Sequence, residues 1–181
     1  MRAGVGLGCV VLLAACASAI QHPVPAGPKF ETDDVRFAAP TGWEFLTSTS
    51  VSYGPGQILV YVANEPLRTD CRNSDAEIVC QSPLATGLHA GGMLVTWVTS
   101  TCVARGCELP PAPLIAIGNR QGVRVPLDFG CDETEFTERS AYYATVAPQR
   151  VDVLFVCARD PSTGTRSAFL GFLDAIQWRI P

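Results

Sequence analysis

Apolar residues occur along the chain in short runs, each closed by glycine, proline or polar residues, and this pattern predicts β-strands. Alternating apolar and polar positions at residues 35–37 and 43–45 predict two short strands around a turn at 40–42. The unbroken apolar run at 58–62 predicts a strand that is covered on both faces, and the segment 93–98, apolar except for Thr96, predicts another buried strand. We therefore expect a sheet with a buried centre.

Two pairs of apolar runs lie close enough in sequence to form hairpins. Residues 114–117 and 123–127 flank a turn with a glycine at each end, and residues 141–146 and 151–156 flank a turn that contains a proline. The prolines within residues 109–113 cannot continue a hydrogen-bonded ladder and predict a connection. Most strands are therefore expected to pair in the antiparallel sense.

One stretch near the C-terminus has a helical period. Apolar side chains recur there at the spacings i, i+3, i+4 and i+7, in Phe169, Phe172, Leu173 and Ile176. Trp178 and Ile180 follow two residues apart and predict a last extended segment or a frayed helix end. The predicted fold class is α+β, a twisted antiparallel β-sheet with a C-terminal amphipathic helix packed on one face and with disulfide-braced loops.

The N-terminus has the pattern of an export signal. Residues 5–15 form an apolar run behind the positively charged Arg2, and small residues close the run. The residues Leu13-Ala14-Ala15-Cys16 resemble the lipobox of bacterial lipoproteins. This resemblance implies that the Cys16 sulfur carries a diacylglyceryl group, that the bond before Cys16 is cleaved, and that the new amino terminus is acylated. The expected membrane attachment is therefore lipid.

This segment has two alternative interpretations. Ala17-Ser18-Ala19 fits the A-x-A pattern of ordinary signal peptidase, which would release a soluble periplasmic or secreted protein beginning at Ile20. An uncleaved membrane helix is excluded, because the eleven apolar residues span about 16 Å of a hydrocarbon core that is about 30 Å thick. In a Gram-negative cell, the lipobox resemblance implies sorting to the periplasmic face of the outer membrane, because no aspartate follows Cys16.

The sequence thus divides into a signal peptide at 1–15, a lipidated cysteine with a flexible tether at 16–34, and a single domain at 35–181. The tether contains prolines and glycine without an apolar period. His22 lies in it and is expected to be solvated and inert. The formal net charge of −4 offers no basic surface, so we expect no nucleic-acid partner.

Six of the eight cysteines lie beyond residue 70. In an exported chain an even set predicts disulfides, and sequence alone allows 15 pairings of six cysteines. The pairing favoured by local closure is Cys71 with Cys80, Cys102 with Cys107, and Cys131 with Cys157. The first pair would close a long polar loop at residues 68–82. A metal site built from the first two pairs is the alternative, but Cys71 and Cys80 are spaced more widely than usual ligand pairs.

A short motif near the start of the domain carries a second resemblance. Phe37, Pro40, Gly42 and Trp43 form the pattern F-x-x-P-x-G-W, followed by the predicted sheet and closing helix. Together they resemble exported proteins of the PsbP-like α/β/α sandwich group, which includes photosystem extrinsic subunits and many bacterial lipoproteins of unknown role. The resemblance implies a sandwich fold but no reaction. The cysteine pairs and the 68–82 loop depart from the group's usual pattern.

His89 is the sole histidine in the folded region, and glycines on both sides of it could expose the ring as a general base. A loop histidine hydrogen-bonded to the backbone is the alternative. The sequence lacks the serine hydrolase signature G-x-S-x-G and the zincin signature H-E-x-x-H. A conventional catalytic set is therefore not apparent.

Charged side chains give two further candidate sites. Calcium binding or acid–base chemistry would suit the densest carboxylate cluster, in Asp132, Glu133, Glu135 and Glu138. A solvated edge or hairpin is the alternative for this cluster. Arg120 and Arg124 have an even separation and could form an anion site or line an exposed hairpin face.

These observations predict a lipid-anchored protein of the bacterial cell envelope that is not an enzyme. Its expected role is a binding or interaction module for an envelope component, and no cofactor or metal is expected. Two alternatives stay open: a carrier of a small apolar ligand, with a pocket between sheet and helix, and a hydrolase that uses His89.

Overall fold

The structure is a computed structural model that describes residues 22–47, 52–53, 56–67, 70–74, 77–81, 88–102, 107–128 and 136–180. For residues 52–53, 70–74 and 77–81 it describes the backbone. Several predictions concern residues outside these ranges: the lipobox at 13–16, the alternative cleavage site at 17–19, and the positions Cys131, Asp132, Glu133 and Glu135.

Thirteen strands and one helix form within the described ranges, and the strands pair in the antiparallel sense. The α+β class predicted from the sequence is confirmed. The elements are β1 Lys29–Glu31, β2 Val35–Ala38, β3 Glu44–Thr47, β4 Ser52–Tyr53, β5 Gly56–Ala63, β6 Asp70–Ser74, β7 Glu77–Gln81, β8 Met93–Thr101, β9 Leu114–Ile117, β10 Arg120–Pro126, β11 Glu138–Ala147, β12 Arg150–Ala158, α1 Thr163–Ala175 and β13 Gln177–Trp178.

The strands form three sheets. The large sheet has the order β3-β5-β8-β12-β11-β10-β9, with β4 also paired to β5. A small sheet has the order β1-β2-β13, so it joins the first strands of the domain to the last one. A third pairing joins β6 to β7 alone. The small sheet and α1 therefore bring the two ends of the domain together.

The central strands β5 and β8 of the large sheet are buried on both faces. Towards α1, the core includes Val62, Trp97 and Leu154. On the opposite face, a smaller cluster includes Tyr61 and Leu94. Because side chains alternate along a strand, β5 and β8 supply both clusters. The predictions that the run at 58–62 is covered on both faces and that 93–98 forms another buried strand are confirmed.

Helix α1 begins at Thr163 because Ser162 caps it: the Ser162 hydroxyl accepts a hydrogen bond from the Thr165 amide at 3.0 Å. The four apolar positions that predict this helix are at most 3% exposed. After Ile176 the backbone is extended and enters β13. Trp178 therefore lies in an extended segment, as one of the two sequence-based alternatives states.

The predicted tether contains ordered structure, which corrects the expectation that the domain begins at Val35. Strand β1 pairs with β2, and the Gly27 amide donates to the Ala39 carbonyl at 2.9 Å. We call residues 22–28 the N-terminal strap. Its first residue, His22, is half-buried rather than solvated. The sequence misses this docking because it depends on contacts with distant residues, not on a local apolar period.

Two loop predictions also need correction. Residues 70–74 and 77–81, assigned to a loop, form the β6–β7 hairpin, because strand pairing uses backbone groups and does not require apolar side chains. The turn between β9 and β10 is shorter than predicted and consists of Gly118 and Asn119. The predicted hairpin between β11 and β12 and the predicted connection at 109–113 are confirmed.

The disulfide between Cys102 and Cys107 is present, with an S–S distance of 2.14 Å. In the β6–β7 hairpin, Cys71 lies directly opposite Cys80 in the backbone register. Cys157 is also disulfide-bonded, while its predicted partner Cys131 lies outside the described ranges. The bridges from Cys71 to Cys80 and from Cys131 to Cys157 therefore stay predictions.

Candidate functional site

Among the described residues, the most deeply buried charged side chain is the carboxylate of Asp152, which is 0% exposed. Its Oδ2 atom accepts hydrogen bonds from the indole Nε1 atoms of Trp97, at 3.1 Å, and Trp178, at 2.9 Å. Its Oδ1 atom accepts from Arg150 Nε at 3.0 Å. Both oxygens are therefore satisfied by side chains from β8, β12 and β13.

Arg150 extends this cluster to the surface. Its Nη1 atom donates to the Asp34 carboxylate at 2.5 Å, in the turn between β1 and β2. Burial acts to lower the pKa of Arg150, but the charges and hydrogen bonds of Asp152 and Asp34 outweigh burial, so that the pKa is raised. Arg150 therefore stays charged at any physiological pH.

The Asp152 cluster, which comprises Asp34, Trp97, Arg150, Asp152 and Trp178, joins the large sheet to the small one. Trp97 and Asp152 belong to the large sheet, while Trp178 belongs to the small sheet and Asp34 lies in its turn. Because the carboxylate is enclosed and fully bonded, it cannot take a proton from a substrate. The arrangement positions two sheets rather than performing a reaction.

Asp152 belongs to no motif in the sequence, although its position within an apolar run is a signal. In the apolar run at 151–156, Asp152 shares a strand face with Leu154 and Val156, both of which belong to the core. A charged residue at an inward-facing position of a buried strand requires a partner. The partners Trp97 and Trp178, however, lie 55 and 26 residues away and carry no local signature.

His89 lies in a tight turn built around Glu65. The Glu65 carboxylate accepts the His89 amide at 2.9 Å through Oε1, and its Oε2 atom lies 3.1 Å from the ring Nδ1 atom. Asn64 fixes the same turn by donating to the Gly91 carbonyl at 2.9 Å and accepting from the Met93 amide at 2.7 Å. A carboxylate that holds Nδ1 leaves Nε2 free to act as a base or ligand.

The described residues place no nucleophile beside the His89 ring. The side chain is 89% exposed, and Glu65 is its only hydrogen-bond partner among the described residues. A nucleophile–base pair requires a hydroxyl or thiol within hydrogen-bond reach of the imidazole. The geometry thus supplies a base with its orienting carboxylate, but no nucleophile from the described residues.

The predicted anion site does not assemble as a pair of free arginines. Arg120 donates from Nη2 to the Ile180 carbonyl. Arg124 lies over the Tyr142 ring, with its guanidinium carbon 5.9 Å from the ring centroid. Burial raises the pKa of the Tyr142 phenol, and Arg124 partly opposes that rise. Each arginine therefore contacts its own partner.

Of the acidic cluster, the structure describes Glu138 at the start of β11. Its carboxylate is paired with Arg166 of α1, which donates from Nε at 2.8 Å and also from Nη2. This pair ties the helix to the sheet at the surface, where ion pairs contribute little to stability. Within the described ranges, no three His, Cys, Asp or Glu side chains form a group suited to a metal ion.

Aromatic side chains fill the space between α1 and the large sheet. Phe37 contacts Phe172 edge to face at a centroid distance of 5.2 Å and stacks on Trp97 at 5.6 Å. Tyr142 packs against Phe169 at 5.2 Å. A carrier of apolar ligands would need these rings to move apart. An open groove of about 280 Å³ lies instead beside the small sheet, lined by residues that include Arg36 and Gln177.

Comparisons with protein-family models, with curated proteins and with solved structures found no match for this chain. The class defined by the fold and the clusters above is an α+β domain with a C-terminal helix and a disulfide between Cys102 and Cys107. No helix in the described part of the chain is long and apolar enough to cross a bilayer.

Proposed function

We propose that this chain is an exported protein held in the bacterial cell envelope by lipid on Cys16, and that its domain is a binding module rather than an enzyme. The observation that carries the proposal is the cysteine chemistry. One cysteine closes the export signal, and Cys102, Cys107 and Cys157 are oxidised within the domain. Disulfides persist in exported proteins and are rare in the cytosol.

The two polar clusters support binding rather than catalysis. Asp152 holds two sheets together and is closed to solutes, while His89 is oriented by Glu65 and faces solvent without a described nucleophile.

In this proposal the domain resembles the PsbP-like lipoproteins, and in a Gram-negative cell it resides at the periplasmic face of the outer membrane. The single described helix covers one face of the large sheet, whereas the sandwich of that group has helices on both.

Lipid attachment predicts a specific response to substitution of Cys16. Cys16→Ser removes the sulfur that would carry the diacylglyceryl group, so the protein should move from the detergent phase to the aqueous phase in a Triton X-114 partition. The matched control is Cys9→Ser, which alters a cysteine of the signal and should leave partitioning unchanged. Intact-mass measurement of mature protein beginning at Ile20, with no acyl adduct, would contradict the anchor.

We place the binding surface on the face of the large sheet away from α1, near β9. Leu114 is 64% exposed there, in a strand without charged residues. Contiguous apolar patches with a polar rim mark interaction surfaces, and in this proposal Leu114 is the exposed centre of such a patch. The neighbouring Gln121 on β10 is exposed and polar.

In intact cells, a photoreactive amino acid at position 114 should crosslink to an envelope component. The same group at Asp174, which is exposed on α1, serves as the matched control and should give little of that product. Crosslinked species would be identified by mass spectrometry after membrane extraction. Absence of an adduct at 114, or equal adducts at both positions, would argue against this binding surface.

A further inference from the structure

The N-terminal strap is fixed to the domain at two points where a glycine lets two backbones approach closely. Near its end, a Cβ added to Gly27 would lie 2.4 Å from the Pro40 carbonyl oxygen. At its start, a Cβ added to Gly171 of α1 would lie 2.1 Å from the Pro23 carbonyl oxygen. The chain therefore crosses the helix directly at Gly171, and only a residue without a side chain fits there.

This docking shortens the segment that would join the proposed lipid on Cys16 to the domain. Six peptide steps separate Cys16 from His22. At about 3.3–3.6 Å per residue, they span about 20–22 Å when fully extended. A tether that reached Val35 without docking would have nineteen steps and span roughly 65 Å. A lipid on Cys16 would thus hold the start of the strap within about 20 Å of the bilayer.

We propose that the α1 face of the domain, at the start of the strap, rests against the phospholipid bilayer. This inference rests on the proposed lipid anchor. Two apolar side chains adjoin the contact between Pro23 and Gly171 in sequence: Val24, which is 87% exposed, and Leu170, which is 36% exposed. Such side chains partition favourably into the membrane interface when lipid already holds the protein there.

The same geometry directs the opposite face of the large sheet away from the bilayer. Leu114 lies opposite Val123, and Val123 lies opposite Tyr143. Successive side chains on a strand point to opposite faces, and Tyr142 belongs to the core beneath α1. Leu114 therefore faces away from that core. Residues directly opposite in paired strands share a face. The short reach of the lipid anchor therefore leaves the face near β9 accessible to a partner.

Depth-dependent fluorescence quenching tests the orientation. Full-length lipidated protein is reconstituted in vesicles of phosphatidylethanolamine and phosphatidylglycerol that contain brominated phospholipid, in the variants Leu170→Trp and Leu114→Trp. The native tryptophans are at most 5% exposed and give a constant background. The added emission should be quenched at least twofold more at position 170 than at 114. Equal quenching, or stronger quenching at 114, overturns the proposal.

Two further variants test whether the strap sets this orientation. Gly171→Ala places a methyl group against the Pro23 carbonyl and should release the strap, which reduces quenching at position 170 towards the level at 114. An insertion of twenty Gly-Ser residues after Ser18 lengthens the segment between Cys16 and the strap, changes no described residue, and should have the same effect. Unchanged quenching in the insertion variant contradicts the role of the short reach.

Vesicle flotation and intact mass separate this proposal from the one on which it rests. Protein that lacks an acyl adduct and fails to float with vesicles contradicts the lipid anchor itself. Protein that carries the adduct and floats, but shows no preferential quenching at position 170, contradicts the orientation alone. Circular dichroism of each variant reports whether the fold is retained.

Discussion

Replacement of Asp152 by alanine is expected to lower the free energy of unfolding by about 3–5 kcal/mol. The carboxylate is fully buried and accepts hydrogen bonds from Trp97, Trp178 and Arg150. Its removal leaves two indole donors and part of a guanidinium without a partner in the interior, which costs more than the net strength of the bonds. Urea unfolding of the oxidised protein, followed by circular dichroism, measures the change.

Asp34→Ala is the matched control for Asp152→Ala. Asp34 bonds to the same arginine through the same chemistry, but its side chain is 52% exposed. An exposed ion pair contributes about 0–1 kcal/mol, so this variant should remain close to wild type. Similar losses in both variants, or a loss below about 1 kcal/mol for Asp152→Ala, would contradict the role assigned to the buried carboxylate.

Gly118→Ala is the second substitution with a large expected effect, about 2–5 kcal/mol of destabilisation. Gly118 has φ +55°, a conformation that disfavours any side chain, and an added Cβ would lie 1.8 Å from the Ile176 carbonyl oxygen. Relief of that clash would move the turn away from β13. The Asn119 side chain, which bonds both the amide and the carbonyl of Trp178, would then lose its partners.

Gly42→Ala separates the clash from the backbone strain. Gly42 also has a positive φ, +80°, but an added Cβ would meet no atom within 4 Å. The left-handed conformation alone costs about 1–2 kcal/mol, so Gly42→Ala should be the milder variant. Thermal unfolding of both proteins in the same buffer provides the comparison. Equal shifts in Tm would indicate that the contact between Gly118 and Ile176 contributes nothing.

The elements that could be predicted from the sequence are those with a local signal. The buried runs of β5 and β8, the hairpin between β11 and β12, and the apolar stripe of α1 follow from periodicities of two and 3.6 residues. The disulfide between Cys102 and Cys107 could be predicted because the two cysteines are only 5 positions apart in the sequence. The β6–β7 hairpin was missed because its residues are mostly polar.

The candidate clusters were less accessible to prediction. The glycines on both sides of His89 mark it in the sequence as a candidate base, but its partner Glu65 lies 24 residues earlier and belongs to no motif. Arg120 and Arg124 lie on the same strand, yet each contacts a different group. Residue type and spacing identify which side chains could react, whereas their partners depend on how separate elements pack.

The sequence by itself determined the strands and the helix that have an apolar period, the α+β class and the cysteine pair that closes a short loop, because each depends on residues close together in the chain. Only the tertiary structure decided that β1, β2 and β13 form one sheet, that Asp152 joins it to the large sheet, and that the N-terminal strap docks on α1. These features arise from contacts between distant segments, whose energies depend on packing and burial and leave no periodic trace in the sequence.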